Sequence, residues 1–151
     1  MKIELALTRT GSVAGRIERM VRAASNSIDA ALYRFNHPRL AEALLDAEGR
    51  GVKVRVVLDR NKYEESRSTR ELFANGSIPF RLLYGRQGVG TKMHHKFAIL
   101  DSTTVLTGSY NWTLESEEQN FESLLIVSEW EQIESYQEEF ESLWAMAAPQ
   151  G

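Results

Sequence analysis

The 151-residue chain contains no cysteine. Disulfides, thiolate metal sites and thiol nucleophiles are therefore excluded, while the compartment stays open because proteins inside and outside cells can lack Cys. No stretch reaches the 18 or more apolar residues of a membrane span, and the segment from Lys2 to Arg9 lacks the unbroken apolar run of a signal peptide. No stable membrane insertion is expected, and the chain reads as cytoplasmic, or as exported with its leader removed. Lysine and arginine are absent beyond Lys96. Up to that residue there are 18 basic and 10 acidic side chains, a balance of +8; from Phe97 onward there are 11 acidic side chains and no basic ones, a balance of −11. The asymmetry favours an anion-binding face backed by an acidic one, with a solvated acidic helix at the C-terminal end explaining most of the second figure.

What is present is ordinary for a folded protein: 42% apolar and 26% charged residues. Residues 1–151 read as a single folded domain, neither disordered nor fibrous. Short β-rich runs are expected over 3–8, 28–33, 52–58, 78–83, 94–100, 105–109 and 123–127. Helical spacing marks 12–24, a helix opened by Pro38 and stopped near Gly49, a short helix over 68–74 closed by Asn75-Gly76, and a long one over 129–146. Alternating strands and helices in the first half, followed by a hairpin, predict an α/β fold. Its central sheet is expected to be mixed but largely parallel, with helices on both faces. In the last helix Trp130, Ile133, Tyr136, Phe140, Leu143 and Trp144 form an aromatic stripe that reads as core packing.

The chemistry concentrates in His94-His95-Lys96-Phe97-Ala98-Ile99-Leu100-Asp101, followed after six residues by Gly108-Ser109-Tyr110-Asn111. Side chains alternate along a strand, so His94 and Lys96 share one face while His95 and Phe97 take the other. A hairpin turn over 101–104 would pair residues whose numbers sum to 205, setting His94 opposite Asn111 and Lys96 opposite Ser109, with Gly108 leaving room for a ligand near the backbone. Such a patch suits a phosphate. Lys96 brings charge, Ser109 and Asn111 bring donors, and a neutral imidazole can attack phosphorus to form a covalent intermediate that water later hydrolyses. No metal or other cofactor is needed for that chemistry. His94 and His95 diverge on a strand, and a convergent lysine repels a cation, so a metal site is not expected.

The run matches the H-x-K-x4-D-x6-G-S-x-N signature of the phospholipase D superfamily at every specified position. A chance match of six such residues in a chain this long is on the order of 10⁻⁶. The order of strands and helices and the chain length also resemble the small bacterial endonucleases of that superfamily that carry one such motif. The resemblance implies that His94 is the nucleophile, that Lys96 and Asn111 bind phosphate with help from Ser109, and that Asp101 is structural, as its place in the turn suggests. It implies a role for Glu122 too, as the downstream acidic residue that hydrogen-bonds a catalytic histidine and fixes its tautomer.

A covalent route also needs an acid to protonate the leaving oxygen. The signature occurs once here, and neither His37 nor His95 is a credible second imidazole, so His94 of a second copy is expected to supply it across a two-fold axis. The chain is thus expected to act as a homodimer on nucleic acid, as a nuclease with a phosphohistidine intermediate. Two alternatives stand beside this: a phospholipid or cardiolipin hydrolase of the same superfamily, and a non-catalytic nucleic-acid-binding module. Arg81, Arg86 and Lys92 could line a groove for a phosphate backbone, and the glycine-containing loop over 84–91 reads as flexible and leading to the site.

Overall fold

The computed structural model describes residues 2–74 and 76–149; the expected helix stop at Asn75 falls outside them. In chain order the elements are β1 (Ile3–Leu7), α1 (Val13–Ala23), β2 (Ser27–Leu32), α2 (Pro38–Gly49), β3 (Lys53–Asp59), α3 (Arg60–Glu65) and α4 (Arg67–Phe73). They continue with β4 (Phe80–Leu83), β5 (Lys96–Leu100), β6 (Thr104–Gly108), α5 (Leu114–Glu118), β7 (Ser123–Val127), α6 (Trp130–Met146) and β8 (Ala148–Pro149). The strands form one sheet in the order β1-β7-β6-β5-β2-β3-β4-β8.

The expected α/β architecture with a mixed sheet is present, but the sheet is mostly antiparallel. Among the strands of the described residues, only β2 with β3 and β3 with β4 run parallel. The other pairings, β1–β7, β2–β5, β4–β8, β5–β6 and β6–β7, are antiparallel. Two helical crossovers, through α2 and through α3 and α4, produce the parallel part. The second half returns by a tight hairpin and a short helix, β7 takes β1 as a neighbour and β8 adds to the other edge beside β4, so antiparallel pairing dominates.

Period-two alternation builds two cores on this one sheet. Ile28, Ala30, Leu32, Val54, Val56, Leu58, Ala98 and Leu100 pack with Val13, Ile17, Val21, Leu40 and Leu44 of α1 and α2. On the opposite face Ala31, Val57, Phe97, Ile99 and Val105 pack under Ile133, Phe140 and Leu143 of α6. Helices therefore cover both faces. Trp130 departs from the expected stripe, being 65% exposed at the start of α6.

Local caps explain several helix starts. Ser12, Asp59, Ser66 and Thr113 each accept a hydrogen bond from the backbone N–H three residues on, opening α1, α3, α4 and α5. Asp101 and Ser102 both adopt φ near +55° in the β5–β6 turn, which closes with Thr103 N–H donating to Leu100 O at 3.0 Å. Residues with short polar side chains tolerate this left-handed conformation better than others.

That turn shifts the hairpin by one residue from the expected register. Phe97 pairs with Thr107 and Leu100 with Thr104, so paired numbers sum to 204 and Gly108, not Ser109, falls in line with Lys96. The loop over 84–91 is closed by its own hydrogen bonds: Gly88 N–H donates to Gly85 O, Thr91 N–H to Gly88 O, and Gln87 N–H to Thr91 Oγ1. No helix among the described residues is long and apolar enough to cross a membrane.

Candidate active site

Strand β5 begins at Lys96, one residue later than is needed to include His95, yet the β2–β5 ladder continues because Tyr33 N–H donates to His95 O at 2.8 Å. Alternation therefore still governs the side chains around it. His94 and Lys96 lie together, Lys96 Nζ standing 3.1 Å from His94 Nδ1 and donating to His94 O at 2.8 Å. His95 takes the other side, its ring edge-on to Phe97 and its Nε2 2.7 Å from Glu139 on α6.

Tyr33, the residue after β2, supplies a shelf. Its ring centroid is 4.4 Å from that of His94, and the ammonium groups of Lys96 and Lys62 lie 5.4 and 5.8 Å from its centroid. Partial desolvation, followed by the charges of Lys96 and Lys92, lowers the His94 pKa, with Asp59 opposing them. Burial lowers the pKa of Lys96 as well, and the charge of Glu122 opposes that shift.

Glu122 is the hub of a second cluster. One carboxylate oxygen accepts from Ser109 Oγ at 2.6 Å; the other accepts from Ser116 Oγ and from Asn120 Nδ2, both at 3.1 Å. Thr8 fixes the backbone there, accepting from Glu122 N–H at 2.8 Å while donating to Asn120 O at 2.7 Å. Asn111 joins through Ser116, whose hydroxyl accepts from Asn111 N–H at 3.3 Å. The side-chain Oδ1 of Asn111 is buried and has no hydrogen-bond partner among the described residues.

Of the residues singled out in the sequence, His94 thus touches Lys96, Ser109 touches Glu122, and Asn111 is tied to Glu122 through one shared serine. Among the described residues, the Glu122 carboxylate is held by hydroxyl and amide groups, not by an imidazole. Asp101 stands at the far end of β5, roughly 16 Å along the strand from Lys96 at 3.3 Å per residue. Its carboxylate accepts from the N–H groups of Ser25, Asn26 and Ser27. Desolvation would raise its pKa, but these backbone donors hold it below the ordinary value.

Gly108 serves a different need from the one expected. A Cβ there would fall 2.3 Å from Ser123 O, so the missing side chain admits β7 rather than a ligand. His37 is buried at the start of α2. Arg81 stacks over Trp144, 4.1 Å from the ring centroid, and donates to Trp144 O at 2.8 Å, whereas Arg86 and Lys92 line a groove of about 630 Å³ with His94. Met93, Leu83, Leu143 and Met146 give that groove an apolar wall. Tyr33, Asp59 and Ser116 carried no motif in the sequence; only their contacts with the motif residues mark them. No group of three or more His, Cys, Asp or Glu among the described residues could hold a metal ion.

Comparison with known proteins agrees with the fold. The PLD-like domain of the cardiolipin synthase family matches residues 17–144. Mitochondrial cardiolipin hydrolase from Xenopus tropicalis is 37% identical over 138 residues, covering 91% of this chain and 64% of that protein. The chain thus spans less than two thirds of that relative. Nuc from Salmonella typhimurium, a phospholipase D family member, superposes with a TM-score of 0.89 at 27% identity, over 99% of this chain and 97% of that one. NucT from Helicobacter pylori superposes with a TM-score of 0.86 at 22% identity, over 99% and 100% of the two chains, and bears on the fold alone. With a family match over residues 17–144 and the complete H-x-K-x4-D-x6-G-S-x-N run at its site, this chain belongs to the phospholipase D superfamily.

Proposed function

We propose that residues 1–151 form one phospholipase D-like hydrolase domain that cleaves phosphodiester bonds without a metal, and that it is a nuclease whose site is shared by two copies. The observation that carries this reading is the pair of His94 and Lys96, in direct contact on the Tyr33 shelf, with His94 exposed and Lys96 half-buried. A nucleophile and a cation so placed can meet the same phosphate.

Lysine has only donors, so its contact with Nδ1 leaves the proton of a neutral His94 ring on Nε2. A phosphate that draws Lys96 to its own oxygen frees Nδ1 to carry the proton and Nε2 to attack. The P–N bond forms as the P–O bond to the leaving group breaks, and the imidazolium of the second copy's His94 protonates the departing oxygen. That same imidazole, now neutral, takes a proton from water as the water's oxygen attacks phosphorus. The P–N bond then breaks and both rings return to their starting states. Asn111, with its amide turned to present Nδ2, would donate to a phosphoryl oxygen as charge builds there.

A nucleic-acid substrate is supported by Arg86 and Lys92 beside His94 and by the end-to-end match with Nuc. Cardiolipin hydrolysis is the second reading, favoured by the named relative and by the apolar wall of the His94 groove. The test is cleavage of defined single- and double-stranded DNA, RNA and cardiolipin vesicles in excess EDTA, with His94→Ala beside the wild type. Nucleic-acid cleavage that survives EDTA and disappears in the variant is expected. Cleavage of vesicles alone would select the lipid reading. Activity that depends on added metal or persists without His94 would overturn both.

A further inference from the structure

Asp59 is fully buried at the C-terminal end of β3, an expensive place for a carboxylate unless its oxygens are satisfied. Each oxygen has a backbone partner. Oδ2 accepts from Lys62 N–H at 2.9 Å, which caps α3, and Oδ1 accepts from Met93 N–H, also at 2.9 Å. The first bond spans three residues, but the second spans 34 and ends on the residue immediately before His94.

The approach to His94 has few other fixed points. Residues 92–95 lie outside any helix or strand, between the 84–91 loop and the first residue of β5. Met93 is buried and His94 is exposed, so the backbone of Met93 is the last anchored point before the reactive ring. On the far side, Tyr33 N–H holds His95 O. Two backbone bonds therefore bracket His94, one from Asp59 and one from Tyr33, and Tyr33 also supports the ring itself.

We propose that Asp59 is a positioning residue: its buried carboxylate clamps the Met93 amide and so sets where the His94 ring sits over the Tyr33 shelf. The proposal rests on the reading of His94 as nucleophile for its effect on rate, but not for its effect on geometry. A capping serine would serve α3 equally well, as Ser12 and Ser66 serve α1 and α4. A carboxylate at this point does something more, because it reaches two segments at once.

The field at His94 comes from Lys96 of β5, Lys92 and His95 of its own segment, Asp59 at the end of β3, and the Tyr33 ring after β2, with Lys62 of α3 beyond that ring. Asp59 is the acidic member of this set. Its removal should lower the His94 pKa further, whereas loss of a purely structural cap should leave that titration in place.

The test uses Asp59→Ser, which keeps a capping oxygen for Lys62 N–H but is too short to clamp Met93, and Asp59→Asn, which keeps the size and removes the charge. Expected for Asp59→Ser are a kcat lowered roughly 10- to 100-fold, the range for a slightly misplaced reacting group, and a KM within about twofold of wild type. Both variants should show a His94 ring titration displaced to lower pH by NMR. A folded Asp59→Ser with unchanged kcat and unchanged His94 titration would overturn the proposal. Loss of rate in both variants with His94 geometry and titration intact would likewise overturn the clamp, whereas a displaced His94 ring with an unchanged rate would overturn the reading of His94 as nucleophile and leave the clamp standing. If neither variant folds, amide exchange in the wild type decides: Met93 N–H protected well beyond Lys92 N–H supports the clamp, and equally rapid exchange refutes it.

Discussion

Lys96 Nζ stands 3.1 Å from His94 Nδ1, and each of these groups has its pKa lowered. Burial acts on both, and the lysine charge disfavours the imidazolium beside it. Neutral His94, the form that can attack phosphorus, therefore persists to lower pH than in an ordinary histidine.

Replacing Lys96 by Met should raise the His94 pKa toward its ordinary value of 6.5, because the main positive neighbour is gone. NMR titration of the ring carbon in the unliganded protein reads this directly. Turnover should fall by roughly 10²- to 10³-fold, as when one donor to a developing oxyanion is removed.

Glu122→Gln should weaken the cluster at the β6–β7 end. Glutamine can still accept from Ser109, but its amide nitrogen cannot accept from Ser116 or Asn120. A loss of about 1–3 kcal/mol in urea unfolding is expected for hydrogen bonds to a charged group in a partly buried place. The charge that favours protonated Lys96 is lost too, so the lysine should titrate at still lower pH.

Asp101→Asn tests the claim that this motif residue holds the fold and not the phosphate. Asparagine tolerates the left-handed turn but brings no charge to the N–H groups of Ser25, Asn26 and Ser27. Because the folded pKa is depressed, the native contribution is complete above the ordinary value of 3.8 and is lost as pH falls through the lower folded value. Urea midpoints measured against pH should show wild type and variant converging as acidity increases, with turnover near neutrality within about twofold of each other.

The sequence carried most of the element order, because buried strands and amphipathic helices leave strong periodic marks. It did not carry the strand directions. Those depend on which edges meet, and nothing local in Ile3–Leu7 says that it pairs with Ser123–Val127. Helices α3 and α5 were unforeseen because six and five residues are too few to display a period. At the site, His94, Lys96, Ser109 and Asn111 stood in one run, but the one-residue register shift depended on two consecutive left-handed residues in the turn. Tyr33 and Asp59 were silent for a different reason. Each sits at the end of a hydrophobic strand, and its contact with residues 93–95 exists only after β2, β3 and β5 have come together.

In the proposed reaction two His94 rings, one from each copy, serve one phosphate. Exchanging subunits between wild type and a tagged His94→Ala chain, isolating the mixed dimer and measuring its turnover separates a shared site from two independent ones. A shared site predicts that the mixed dimer is as inactive as the doubly substituted one. Turnover equal to that of the wild-type dimer, or full activity in a strictly monomeric protein, would contradict it.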